Sequence, residues 1–399
     1  MIRKFLLMAV IVFTGATMLL AQKQGGPRSG YQFETIADLK TTPVKDQQSV
    51  GTCWDYAALS FLESELLRMG KPEYDLSELF VAKNTYYEKG IRYIQFHGSN
   101  NFGEGGQAHD VILMIKKYGI VPEEVYTGLQ YGRDFHIHGE LVEALKGMLD
   151  GINKNPNRRL TPVWPKAYES IIDTYLGATP EKFTYKGKEY TPKTFEASLG
   201  LNLDDYVEIT SFQEFPFYTQ VVLPIPDNWA HGVYYNLPID ELIEIMNNSL
   251  KKGYTVCWDG DVSHNSFNHG AGLAILPTDE PSEMINAEID KWQTLSEKER
   301  KSKMSSFEEP VPEMRIDDSK RQFRFDNRQT TDDHLMHITG LLKDQNGTLY
   351  YKTKNSWNAD SNPFGGYLYM SEPYCRLQTV AIMVHKDAIP KAIRKKLGL

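Results

Sequence analysis

Gln47-Gln48-Ser49-Val50-Gly51-Thr52-Cys53-Trp54 is the stretch whose reading decides the fold. A glutamine precedes a cysteine by six positions, a turn-forming glycine lies between them, and an apolar run follows. In that run Trp54, Ala57, Ala58, Phe61, Leu62, Leu66 and Met69 recur at three-to-four spacing before Gly70, which predicts a helix opening at Cys53. At a helix N-terminus the unpaired N–H groups and the dipole favour the thiolate, the nucleophilic form of cysteine. Gln47 can then offer a side-chain N–H to the oxyanion that forms after attack on a carbonyl. Taken alone, Cys53 would read as a small buried residue, since free cysteine is among the most buried types. Gln47 and Trp54 beside it shift the reading to acyl chemistry.

The partners such a thiol needs occur far downstream. Asp332-Asp333-His334-Leu335-Met336-His337 precedes an apolar run, and Lys354-Asn355-Ser356-Trp357 follows a strand-like Leu349 to Thr353. A histidine at one strand end and an asparagine after the neighbouring strand complete a Cys53, His334, Asn355 set. His334 would take the thiol proton and return it to the leaving amine, Asn355 would hold the other ring N–H, and Trp357 would shield that hydrogen bond. His337 is the competing base, but on a strand it points away from the face His334 uses and reads as a core histidine.

These blocks resemble the papain-like cysteine peptidases, and within them the bleomycin hydrolase and aminopeptidase C branch. Asp75-Leu76-Ser77-Glu78, Gly105-Gly106-Gln107, Lys117 to Pro122, Leu176 to Phe183 and Tyr254 to Val262 extend the likeness over roughly residues 35 to 395. The resemblance selects His334 over His337. It implies an α+β papain-like two-lobe fold, a helical lobe plus an antiparallel β-barrel-like lobe with a helical insertion, and cleavage of peptides from their N-termini. It also implies a homo-hexamer and no cofactor. Two positions depart from the family pattern: Asn358 follows Trp357 where glycine is usual, and Asp55 replaces a small or apolar residue. Asp55 is expected to face solvent, as Asp mostly does. The family's C-terminal arm, which confines cleavage to the first residue, is expected to be missing after Leu399, so endopeptidase activity is the alternative. A cell-wall peptide amidase and a non-catalytic peptide-binding module are further alternatives on the same fold.

Composition narrows the class. The 399 residues are 41% hydrophobic and 24% charged, enough for a substantial core, and a net charge of −8 without a basic stripe argues against nucleic acid. Residues 1 to 21 read as an export signal, with Arg3 and Lys4 before an apolar Phe5 to Leu20 and a cleavage site after Ala21. The chain is thus expected in the periplasm or outside the cell, tethered to the membrane if that segment stays uncleaved. Three cysteines are too few for a disulfide scaffold, and Cys257 and Cys375 read as buried and unpaired. Asp259, Asp261, His264 and His269 concentrate ligand-type side chains, but their spacing matches no known metal motif, so no metal is expected.

Along the chain a polar linker, 22–30, leads to a peptidase domain over 22–399. Its helical lobe is expected over 53–250 and its strand-rich lobe over 254–399. Helices are predicted over 77–87, 106–118, 138–153, 164–175 and 239–250, with 160–250 as a mixed insertion containing a strand at 218–223. Residues 279–320 are charged and poor in large apolar residues, which predicts a surface excursion with a short helix around 282–291.

Overall fold

The computed structural model describes residues 23–25, 30–285 and 289–399. The export signal expected over 1–21 and most of the linker lie outside the described residues. Within that linker Lys23–Gly25 is a short strand, antiparallel to Gln32–Asp38.

Helix α1 spans Cys53–Arg68 and is buried nearly all round, its polar Ser60, Glu63, Ser64 and Glu65 included. A helix without a solvent face has to sit inside the molecule. It packs against α2 (Glu78–Gln95), α3 (Ala108–Tyr118) and the strand His334–Lys343. Ser77 caps α2 by accepting from the Phe80 N–H at 3.1 Å. This helix runs past the predicted end at Tyr87, because Tyr93 and Ile94 continue the face that packs on Leu141, Leu145 and Tyr168. Gly90 permits that contact: a Cβ there would lie 2.4 Å from the Tyr168 ring. Helices α4 (Gly139–Asn153) and α5 (Trp164–Leu176) complete this layer.

Twelve of the sixteen strands among the described residues form one sheet, and the other four pair off in two separate two-stranded sheets. At the centre of the large sheet His334–Lys343 pairs antiparallel with Val256–Gly260, Leu349–Lys354 and Gln32–Asp38. Val256–Gly260 pairs in turn with Thr379–His385. Side chains alternate between faces as strand geometry requires. Cys257, Leu335 and Met383 join the core around α1, while Val256, Trp258, Met336, Ile338 and Ile382 join a second core under the helix Ile239–Lys251. Both faces being covered explains why these strands read as unbroken apolar runs. The mixed insertion supplies three strands, Tyr206–Thr210, Thr219–Val221 and Tyr234–Asn236, at one edge of the same sheet.

The 279–320 segment corrects one expectation. Instead of a helix around 282–291 it holds a strand at Met284–Ile285, paired with Glu313–Met314, then helices Ile289–Gln293 and Glu297–Ser306. Met284, Trp292, Phe307 and Val311 are buried together against Tyr31, Phe33 and Tyr350. A few widely spaced large residues were enough to anchor the segment, because Tyr31 and Phe33 at the strand Gln32–Asp38 and Tyr350 of Leu349–Lys354 supplied the aromatic partners.

Phe61, fully buried on α1, makes edge contacts with Tyr206 and His337 across the joint between helix and sheet. Phe61→Ala is expected to destabilise the protein by about 3–5 kcal/mol, read as a lowered urea midpoint, because the cavity sits where the layers meet.

Candidate active site

Cys53 is the first residue of α1 and is 9% exposed. Its sulfur faces the N–H of Leu335, the residue after His334, at the start of the central strand. The His334 ring is held by a hydrogen bond from Nε2 to Asn355 Oδ1 at 2.8 Å. Asn355 Oδ1 also accepts the Ser356 N–H at 2.8 Å, which fixes the amide so that oxygen faces the imidazole. Nε2 therefore carries the ring proton, and Nδ1 is the basic nitrogen. The Trp357 ring lies over the imidazole at 4.9 Å between centroids, inclined by 34°.

Gln47 is tied to the same loop. Its N–H donates to the Ser356 carbonyl at 2.8 Å, and its Oε1 accepts from the Ser356 hydroxyl at 2.5 Å. One N–H of Nε2 goes to the Val50 carbonyl at 2.8 Å, leaving the second available. An amide oriented this way can meet a developing oxyanion without reorganising. Ser356 was quoted in the sequence only as the middle of Asn-Ser-Trp; its hydroxyl turns out to orient Gln47.

Asn358 adopts φ 72°, a backbone region that glycine takes freely. Asn is among the side chains that tolerate positive φ best, and here its Oδ1 caps the Asp360 N–H at 3.0 Å. The loop keeps its turn despite the missing glycine. On the other side of Cys53, Gly105 and Gly106 are explained by crowding: a Cβ at Gly105 would strike the Asp227 carboxylate, and one at Gly106 would lie 2.9 Å from the Trp54 ring. Trp54 Nε1 donates to the Glu104 carbonyl at 3.0 Å, which closes this loop over the helix start.

Several expectations are corrected here. Asp55 does not face solvent; it is wholly buried near Glu78 and Lys45, and burial raises its carboxyl well above the usual range. A neutral Asp55 brings no second negative charge to the helix start. The expected preference of the helix terminus for thiolate is also overridden. Burial pushes the Cys53 thiol up to about 12, with the charges of Asp332, Asp259 and Asp227 adding to it and the Leu335 N–H opposing it. Burial likewise lowers His334 to about 4, against the opposing hydrogen bond to Asn355. Burial thus disfavours the charged form of both groups.

His337 is buried as well, with Nδ1 2.9 Å from the Ser60 hydroxyl on α1. Next to it Lys354 Nζ donates to Ser60 Oγ at 2.8 Å and to the Thr42 carbonyl at 2.9 Å. This lysine immediately precedes Asn355 and ties its strand end to α1, a role no sequence signal suggested. Asp259, Asp261, His264 and His269 take separate partners: Asp261 accepts from Ser263 and Thr331, His264 meets Arg324, His269 meets Ser361, and Asp259 faces Asp332. Among the described residues no group of three or more acidic, histidine or cysteine side chains is arranged to hold a metal. Cys257 and Cys375 are buried and free.

A model of the peptidase C1-like family matches residues 309–398, the stretch containing His334 and Asn355. Over longer spans the chain is similar to aminopeptidase C of Streptococcus thermophilus, 25% identical and covering 89% of this chain and 83% of that protein. It is also similar to aminopeptidase C of Listeria monocytogenes, 23% identical with 89% and 83% covered. Among solved structures, pepw from Lactobacillus rhamnosis superposes with a TM-score of 0.67 at 20% identity, covering 91% of this chain and 84% of that one. The fold is therefore papain-like.

Because Nδ1 of neutral His334 has to receive the thiol proton, alkylation of Cys53 by iodoacetamide should slow only as the pH falls through about 4, where the ring becomes protonated. A rate profile whose acid limb lies at 6 to 7 would show that the imidazole is not buried in this way.

Proposed function

We propose that this chain, papain-like in fold and similar over nine-tenths of its length to aminopeptidase C, is a cysteine peptidase that removes N-terminal residues from peptides. One arrangement supports the catalytic assignment above all: a thiol at a helix start beside a histidine whose far nitrogen is held by Asn355 at 2.8 Å. In this reading Cys53 attacks the peptide carbonyl as His334 Nδ1 takes its proton. The free N–H of Gln47 and the backbone at the start of α1 receive the oxyanion. His334 then protonates the leaving amine, and water cleaves the thioester by the reverse sequence of proton transfers. Asn355 keeps the ring turned to the sulfur through both half-reactions. The buried resting pair delays charge separation until substrate excludes water and supplies the oxyanion that the site is built to hold.

Cys53→Ala should abolish hydrolysis of aminoacyl reporter substrates, and Gln47→Ala should lower kcat by about 10²–10³-fold with little change in KM, the cost of one oxyanion donor. Wild-type rates in Cys53→Ala would end the reading. Mass analysis of products from a free and an N-acetylated test peptide separates the two modes of cleavage. Stepwise loss from the free peptide alone is the expected result; internal cuts in both would identify an endopeptidase.

A further inference from the structure

Three carboxyl groups, Asp332, Asp259 and Asp227, lie near enough to oppose negative charge on the Cys53 sulfur, and the chemistry above uses none of them. Asp332 sits two residues before His334 and is partly exposed. Its Oδ2 accepts from Gln107 Nε2 at 2.8 Å, and the Tyr234 hydroxyl donates to Gln107 Oε1 at 3.2 Å, which keeps the NH₂ end of that amide toward the carboxylate. Asp259 lies directly opposite Leu335 in the antiparallel register, so it flanks the backbone N–H that faces the sulfur.

Asp259 is the independent observation that points to a ligand. It is 3% exposed, and apart from the Asp332 carboxyl that it faces, neither of its oxygens has a hydrogen-bond partner among the described residues. Neither Asp259 nor Asp332 forms an ion pair with a Lys, Arg or His among the described residues. The groups around them are carboxyls as well: Asp227 and Asp333 beside Asp332, Glu208 and Asp333 beside Asp259. Two carboxyls in contact cannot both be ionised without a counter-charge, so the empty pair holds a proton between them. Burying Asp259 with no donor beyond that shared proton is costly to the fold, and a cation arriving between the two groups would relieve that cost.

We propose that Asp332 and Asp259 form the subsite for an ammonium group of the substrate, supplied either by its N-terminal α-amine or by a basic side chain next to the scissile bond. The inference rests on the peptidase reading and deepens it. A free α-amine is two bonds from the carbonyl carbon that Cys53 attacks, so its anchor has to flank the sulfur, as these carboxyls do. The half-open Asp332 makes the first contact, and the buried Asp259 receives the cation behind it.

The test compares kcat/KM of wild type, Asp332→Asn, Asp259→Asn and Asp332→Glu in two arms. The first uses aminoacyl-aminomethylcoumarin reporters with free and with acetylated amines. The second uses N-blocked dipeptidyl reporters with arginine or leucine one residue further from the label. For either cation, removing its carboxylate should cut the cationic-to-neutral ratio by about 10-fold or more, chiefly through KM, with Asp332→Glu restoring part of it. A fall in the free-to-acetylated ratio assigns the subsite to the α-amine, and a fall in the arginine-to-leucine ratio assigns it to a side chain; either upholds the subsite. Ratios unchanged in both arms, or equal losses on neutral and cationic substrates, overturn it while leaving the peptidase reading intact. Absence of Cys53-dependent turnover by wild type on every reporter would instead overturn the peptidase reading, and this inference with it.

Discussion

The Gln47 N–H donates to the Ser356 carbonyl at 2.8 Å, and the Ser356 hydroxyl returns a bond to Gln47 Oε1, joining positions 309 residues apart in sequence. The rest of the site depends on this joint. One partner leads into the helix that carries Cys53, and the other follows the asparagine that holds His334. Below it, buried polar groups bind the same two elements. Glu63 of α1 accepts from Thr42 and from the Leu76 N–H, Thr42 accepts from Lys354, and Lys354 also reaches Ser60. Lys45 is shared by Glu78 and Asp75. Such a network is a poor source of net stability, because desolvating the charges offsets their attraction. What it supplies is a single permitted alignment of helix and strand, since any shift leaves a charge buried without its partner.

Precision at the joint matters because the reacting groups are kept uncharged. A helix terminus favours an anion by about 0.3–1 kcal/mol. The rise of Cys53 from an ordinary 9.0 to about 12 corresponds to about 4 kcal/mol, so burial and neighbouring carboxylates win over the dipole. Reactivity therefore has to come from the geometry in which thiol and imidazole are held, and from the oxyanion donors waiting opposite.

The parts of this architecture that were legible in the sequence are those set by local pattern. The start of α1 followed from a Gln-x5-Cys spacing and an apolar repeat, and the strand His334–Lys343 and the turn at Asn355 from an apolar run and an Asn-Ser-Trp. What escaped depends on packing between distant segments. Asp55 was read as exposed because a carboxylate in a first helical turn usually is; it is buried because α2 and Lys45 close over it. The 279–320 segment looked solvated because its few large side chains find partners in residues outside it, Tyr31, Phe33 and Tyr350 among them. Lys354 carried no role beyond opening the Lys-Asn-Ser-Trp block after the strand, since its partners Thr42 and Ser60 are about 300 positions away. Protonation was misjudged for the same reason: the dipole is visible in a helix start, while desolvation is visible only once the surrounding walls are in place.

The carboxyls beside the thiol close this account. Left to themselves, Asp332 and Asp259 oppose a thiolate and would be a handicap to a nucleophile. An ammonium seated between them, as inferred above, offsets their negative charge and weakens that field at the sulfur. The carboxyls' share of the penalty on the thiolate is then eased when a cationic substrate is in place, and by linkage the substrate binds more tightly as the sulfur gains charge. Discrimination between cationic and neutral peptides would thus be expressed in the acylation step as well as in binding. It would arise from the same two side chains that keep the empty site inert.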